Sequence, residues 1–269
     1  MKKLGILLCT LTVLAACNEA QQKSEELMEE PTANTEEVTP QEPTKPEETE
    51  IWEPIPAKVD PMGQNGAPSD AIVLFDGTNF DAWESANEGG GEVQWVLNGD
   101  GSMTVKDKTG DIQTKQSFGS VQLHVEWRSN PDNKATNQNR SNSGVFLQNR
   151  YEVQVLDNND NPTYVNGMVG SIYKQSIPLV MAAKPTGDWN SYDIIFHAPE
   201  FDAEGNKTKS GTLTVLLNGV LVQDHFELLG TTEYIGWPKN DAHGPAPIKL
   251  QDHGDQSGVK YRNIWVRNL

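Results

Sequence analysis

Tyr151-Glu152-Val153-Gln154-Val155-Leu156-Asp157 alternates apolar and polar side chains. Successive residues of a strand point to opposite faces, so Val153 and Val155 should turn into a core while Glu152 and Gln154 share the other face. Lys249-Leu250-Gln251-Asp252-His253-Gly254 repeats the pattern, with Lys249, Gln251 and His253 on one face and Leu250 on the other. In Val121-Gln122-Leu123-His124-Val125-Glu126-Trp127-Arg128 the odd positions are apolar, and Glu126 and Arg128 lie two apart on the polar face. A polar face of that kind is usually solvated, but the pair can also floor a polar groove beside the Asn-rich loop 129–141. From Ala71 onward, short β-branched and aromatic runs are separated by Gly, Asn and Asp, without a 3.6-residue period. They predict strands over 72–75, 95–97, 102–105, 112–114, 121–127, 144–147, 152–156, 191–197, 211–217, 248–251 and 261–266. Leu217-Asn218-Gly219-Val220 is the clearest hairpin, because Asn-Gly supplies the positive φ angles of a tight turn. The series reads as an all-β sandwich.

The N-terminal segment breaks this pattern. Lys2 and Lys3 precede the apolar run 4–16, which is too short to span a bilayer and ends in Leu14-Ala15-Ala16-Cys17. Residues 1–17 look like a bacterial lipoprotein signal, with Cys17 lipidated and anchoring the chain to a membrane of the cell envelope, outer-membrane or periplasm-facing. An ordinary export signal with an incidental cysteine is the alternative. The two cysteines are Cys9 and Cys17, so a chain processed in this way has no free thiol for disulfides, metal ligation or nucleophilic catalysis.

Residues 18–57 hold twelve Glu and two Lys among Pro and Thr, and 18–60 is expected to be an extended, disordered acidic tether. This stretch carries much of the net charge of −17 and leaves −9 on residues 58–269. Neither part has the basic stripe that nucleic-acid binding requires. Residues 68–269 suffice for one sizeable domain.

Several motifs along this domain, taken in order, resemble the bacterial 3-keto-disaccharide hydrolase family. They are Leu74-Phe75-Asp76-Gly77 with Trp83, Asn142-Ser143-Gly144-Val145-Phe146-Leu147, Tyr151 to Asp157, and Gly170-Ser171-Ile172-Tyr173. Trp189-Asn190-Ser191-Tyr192, Leu217-Asn218-Gly219, Leu250-Gln251-Asp252-His253-Gly254 and Tyr261-Arg262-Asn263-Ile264 complete the series. The resemblance implies a concanavalin-like jelly-roll β-sandwich, export or lipid anchoring, and cleavage of glycosides oxidised at C3 by a partner oxidoreductase. Segments 130–140 and 241–247 depart from the family pattern, which bears on substrate choice. Glu152-x-Gln154-x-x-Asp157 is also similar to the E-x-D-x-x-E strand of retaining glucanases, but Gln replaces the central Asp. Retaining hydrolysis needs two carboxyl groups about 5–5.5 Å apart, and Asp157 is out of phase with Glu152.

A C3 ketone acidifies the C2 proton, and the leaving group at C1 is β to that ketone, so elimination followed by hydration gives net hydrolysis. Such chemistry needs a base near C2, donors on the C3 oxygen and an acid near the glycosidic oxygen. His253 is the candidate base or acid, since imidazole as a type titrates near neutrality, with a turn-capping role as its structural alternative. Glu152 is the second candidate, as base or as the group fixing the imidazole; a salt bridge to Arg128 or Arg262 is the alternative. Gln154 and Gln251 are candidates to bind sugar hydroxyls, Lys249 or Arg128 to stabilise an enolate oxygen, and Trp237 to stack on a sugar ring. Asn142, Tyr173, Glu126 and Asp157 complete the candidate substrate contacts.

The run Asp157 to Pro162 resembles an oxygen-rich calcium loop but lacks the twelve-residue pattern with its bidentate Glu. His124, His197, His225 and His243 have no zinc-site spacing. No cofactor is evident, with calcium at the loop from Asp157 to Pro162 left as the lesser alternative. Two other readings stay open: a non-catalytic, lectin-like carbohydrate-binding lipoprotein, and an ordinary endoglucanase-like glycosidase.

Overall fold

The structure is a computed structural model, which describes residues 42–63 and 66–269. The expected signal peptide, the lipidation at Cys17 and most of the tether lie outside the described residues. Contacts divide the chain into one unit ending at Pro56 and another running from Ala57 to Leu269. The described part of the first is exposed and holds one 3-10 turn, Pro46–Glu48.

The second unit is a two-sheet sandwich, the concanavalin-like jelly roll that the sequence leads one to expect. Its strands are β1 Ile72–Phe75, β2 Trp83–Ser85, β3 Val96–Leu97, β4 Met103–Thr104, β5 Ile112–Phe118, β6 Val121–Arg128, β7 Ser143–Leu147 and β8 Tyr151–Val155. They continue with β9 Trp189–His197, β10 Glu200–Phe201, β11 Lys207–Lys209, β12 Thr212–Leu217, β13 Val220–Glu227, β14 Ala246–Leu250 and β15 Lys260–Asn268. The larger sheet runs β13-β12-β9-β6-β15-β4-β3, with β1 also paired to β15; the smaller runs β2-β5-β14-β7-β8.

Alternation decides which side of each strand meets the core. Val121, Leu123, Val125 and Trp127 of β6 are fully buried against Val145 of β7, Val153 and Val155 of β8 and Leu250 of β14 in one hydrophobic cluster. Burying each such aliphatic side chain contributes about 1.5–3 kcal/mol. Two tyrosines of the larger sheet cross this layer to fix the smaller one. Tyr192 donates its hydroxyl to the Gln154 carbonyl at 2.6 Å, and Tyr261 donates to Ser143 Oγ at 2.7 Å. Ser143 in turn donates to the Gln251 carbonyl at 2.6 Å. A buried hydroxyl is costly unless paired, so these bonds specify register between the two sheets.

The Asn218-Gly219 hairpin forms as expected, with φ of 55° and 78° and Leu217 opposite Val220. Among the unforeseen strands, β2 is too short to show a period, and the β10–β11 ribbon is polar and largely exposed. The ribbon closes through Asp202, whose carboxylate accepts from the backbone of Glu204 and Asn206. Turn chemistry rather than burial makes that hairpin.

Candidate active site

β8 carries Glu152 and Gln154 on the face of the smaller sheet turned away from the core, yet both are buried, Glu152 at 4 % exposure. Segments from other parts of the chain cover them. Segment 170–173 lies along the free edge of β8: Gln154 N–H donates to Ser171 O, Gly170 N–H to Gln154 O and Tyr173 N–H to Glu152 O. Thr232 Oγ1 accepts from the Glu152 backbone N–H at 3.0 Å.

β7 lies between β8 and β14, which sets the site in cross-strand rows. Phe146 faces Glu152 on one side and Lys249 on the other. Gly144 faces Gln154, and its carbonyl accepts from the Gln251 N–H. The two polar segments singled out in the sequence are thus brought to one face of one sheet, one strand apart. β14 ends at Leu250, so Gln251 and His253 reach the site from the loop beyond it.

Together they enclose a cavity of about 270 Å³, near the lower end of ligand pockets, about 300 Å³, and of a size for a single ring. Glu152, Gln154, Asn142, Gln251 and His253 line it, with Phe146, Tyr173, Thr232 and Tyr234 forming the remaining walls. Gln154 Nε2 donates to Asn142 Oδ1 at 3.1 Å, and Asn142 Nδ2 to the Gln138 carbonyl at 2.6 Å, so the amides are aligned from outside. Gln154 Oε1 and Gln251 Oε1 are buried acceptors with no donor among the described residues. Such atoms suit a ligand with several hydroxyls.

No hydrogen bond from a described residue reaches the Glu152 carboxyl. Burial pushes its pKa up to about 8, against the opposing charge of Lys249 and with a smaller push from Asp111. Lys249 itself does not line the cavity. Its Nζ lies 2.8 Å from Asp111 Oδ2 and 4.2 Å from the Phe146 ring centroid. His253 Nδ1 lies 3.1 Å from Asp255 Oδ2, in a carboxylate whose two oxygens are buried and accept no hydrogen bond from a described residue. Burial and the Tyr164 hydroxyl, 2.6 Å away, raise the Tyr173 phenol pKa, which keeps it a neutral donor.

Four further expected contacts are elsewhere. Glu126 and Arg128 stand on the outer face of β6, in the opposite sheet, with the core between them and the cavity. Glu126 accepts from Arg262 Nε at 2.6 Å and Asn263 Nδ2 at 2.8 Å, while Arg128 lies over the Trp189 ring. A clean alternation says only which residues share a face, and that face is solvent-side. Neither arginine pairs with Glu152. Asp157, fully buried past the end of β8, accepts from Arg140 Nε at 3.2 Å, Thr186 Oγ1 at 2.8 Å and Asn159, and so clamps loops. Trp237, 89 % exposed, lines a neighbouring hollow.

Asp255, Tyr234 and Thr232 escaped the sequence reading. They sit in loops without periodicity; only the nearness of Asp255 to His253 in sequence hinted at a pair. Among the described residues, no three His, Cys, Asp or Glu cluster as a cation site.

Residues 70–267 match the family described as a 3-keto-alpha-glucoside-1,2-lyase-like domain. A crystal structure from Parabacteroides distasonis ATCC 8503, described as a candidate glycosyl hydrolase, is 51 % identical with a TM-score of 0.80, covering 84 % of this chain and 97 % of its own. Two further structures from that strain, described in the same words, share the fold. One is 21 % identical with a TM-score of 0.56, covering 74 % of this chain and 94 % of its own. The other is 24 % identical with a TM-score of 0.50, covering 74 % and 99 %. No curated protein matches the chain.

Proposed function

Because the chain belongs to the 3-keto-alpha-glucoside-1,2-lyase-like family, we propose that it cleaves glycosides, specifically those whose ring carries a ketone at C3, in the cavity that holds Glu152 and His253. The observation that carries this reading is a carboxyl buried in a ring-sized cavity beside amide oxygens that have no donor among the described residues.

Glu152 and His253 divide the roles of acid and base. His253, with Nδ1 turned to the Asp255 carboxylate, takes the proton from C2. The electron pair delocalises onto the C3 oxygen, where the neutral Tyr173 hydroxyl is the donor. The enolate then collapses to a C1–C2 double bond as the C1–O bond breaks, and Glu152 protonates the departing oxygen. Water adds its oxygen to C1 and a proton returns to C2, so one water is consumed overall. Gln154 and Gln251 accept from the remaining hydroxyls. Lys249 and Asp111 act at a distance, through their opposed charges on Glu152.

The substrate comes from an oxidoreductase that acts on C3. We also read Cys17 as a lipid anchor at the cell envelope, on the strength of Leu14-Ala15-Ala16-Cys17. The test is chromatography of products from 3-keto-trehalose and from trehalose. The expected result is release of 3-ketoglucose and glucose through a transient 2-hydroxyglycal, with trehalose untouched and turnover lost in Glu152→Gln and His253→Ala. Cleavage of trehalose itself would indicate an ordinary glycosidase, and binding without turnover by the wild type would indicate a lectin.

A further inference from the structure

Tyr173 is a shared wall. On its far side lies a second hollow of about 380 Å³, bounded by Tyr164, Lys174, Gln175, Glu233 and Trp237. The Tyr164 ring rests on Gly167, where any Cβ would overlap it, and its hydroxyl meets that of Tyr173. Lys174 Nζ stands 5.8, 5.4 and 4.6 Å from the ring centroids of Tyr164, Tyr173 and Tyr234, and donates to the Tyr234 carbonyl at 2.5 Å. The cation so placed ties Tyr164 and Tyr173, the floor of this hollow, to Tyr234, a wall of the first cavity.

Above that floor Trp237 is 89 % exposed and follows Gly236, whose φ of 107° sets the turn that presents it. It does no work in the hydrophobic core. The rim is polar: Gln175 is held by Gly230 O and Leu229 N–H, and Glu233 by Thr231 and Lys239, which fixes both side chains in place. An aromatic platform with an amide and a carboxylate fixed at its rim matches a pyranose, which has an apolar C–H face and a belt of hydroxyls.

We propose that this hollow is the leaving-group subsite and takes the second pyranose ring of the substrate, stacked on Trp237, while the oxidised ring occupies the cavity of Glu152. The assignment rests on the function proposed above and narrows it to disaccharides or longer glycans. The common wall at Tyr173 puts the two rings side by side across the bond to be broken.

The test compares kcat/KM for 3-keto-trehalose and for methyl 3-keto-α-glucoside in the wild type and Trp237→Ala. The expected result is a fall of about tenfold in the disaccharide-to-methyl preference, the size of a stacking contact worth about 1.4 kcal/mol. A rise in the inhibition constant for glucose, the released ring, should accompany it. Equal losses on both compounds would overturn the subsite while leaving the function standing. A preference that Trp237→Ala abolishes only for an aryl 3-keto-glucoside would also overturn it, in favour of an aromatic aglycone. If the wild type turns over neither compound, the function falls and the subsite with it.

Discussion

The Glu152 carboxyl rests against bare backbone: a Cβ on Gly144, one strand away, would collide with Glu152 Oε1. Gly144 is therefore needed for the space beside it. Gly144→Ala should fold, since the position lies inside β7 and requires no left-handed conformation, but it should displace the carboxyl. Activity on a 3-keto-glucoside is expected to drop about 100-fold, the cost of misplacing a reacting group by about 1 Å. Thermal unfolding and initial rates on the same sample check both halves.

Burial pushes the Glu152 pKa up to about 8 in the folded protein, above the ordinary carboxyl value of 4.5. The native state thus holds the proton more tightly than the unfolded chain, so this group's contribution to stability is present below about pH 4.5 and is lost as pH rises through 8. Glu152→Gln should flatten that part of the melting-temperature profile. As an acid, Glu152 should also give kcat/KM a descending limb near pH 8. That limb should vanish from the residual activity of the variant, which is reduced by about 10²–10⁴-fold.

On the opposite sheet, burial pulls the His124 pKa down, but Asp193 at 2.7 Å and Glu126 at 3.8 Å outweigh it and raise the value to about 9. The stacked Trp265 ring covers the other side. Since 9 exceeds the ordinary 6.5, the stabilisation is fully present below pH 6.5 and disappears as pH rises through 9. His124→Gln should lower the melting temperature at pH 6 and change it little at pH 10, with turnover at neutral pH unaltered.

Asp157 clamps Arg140 and Thr186 from a fully buried position. Asp157→Ala leaves Arg140 without its partner and should cost about 3 kcal/mol, the low end for breaking a buried pair. Urea unfolding measures it.

The sandwich was legible because strands buried on one side must alternate, and β6, β8 and β14 do so. The same rule brought Glu152, Gln154, Gln251 and His253 forward as one set. It could not say which sheet a polar face belongs to, so Glu126 and Arg128 read much like Glu152 and Gln154. What separates the two pairs is cover from distant loops at 170–173 and around Thr232, and no local pattern encodes that. Asp157 was correctly seen to be out of phase, yet its partners lie 17 and 29 residues away in the chain, beyond any periodicity.

Phe146 and Gly144 of β7 separate the two polar segments, and the opposite side of that strand is packed core. Glu152 accordingly rides on a strand of that sheet, while Trp237 and Tyr234 hang from its edge on a loop. Selection can redraw that loop without disturbing Glu152, so, on the function proposed, relatives sharing one reaction are free to diverge in diet.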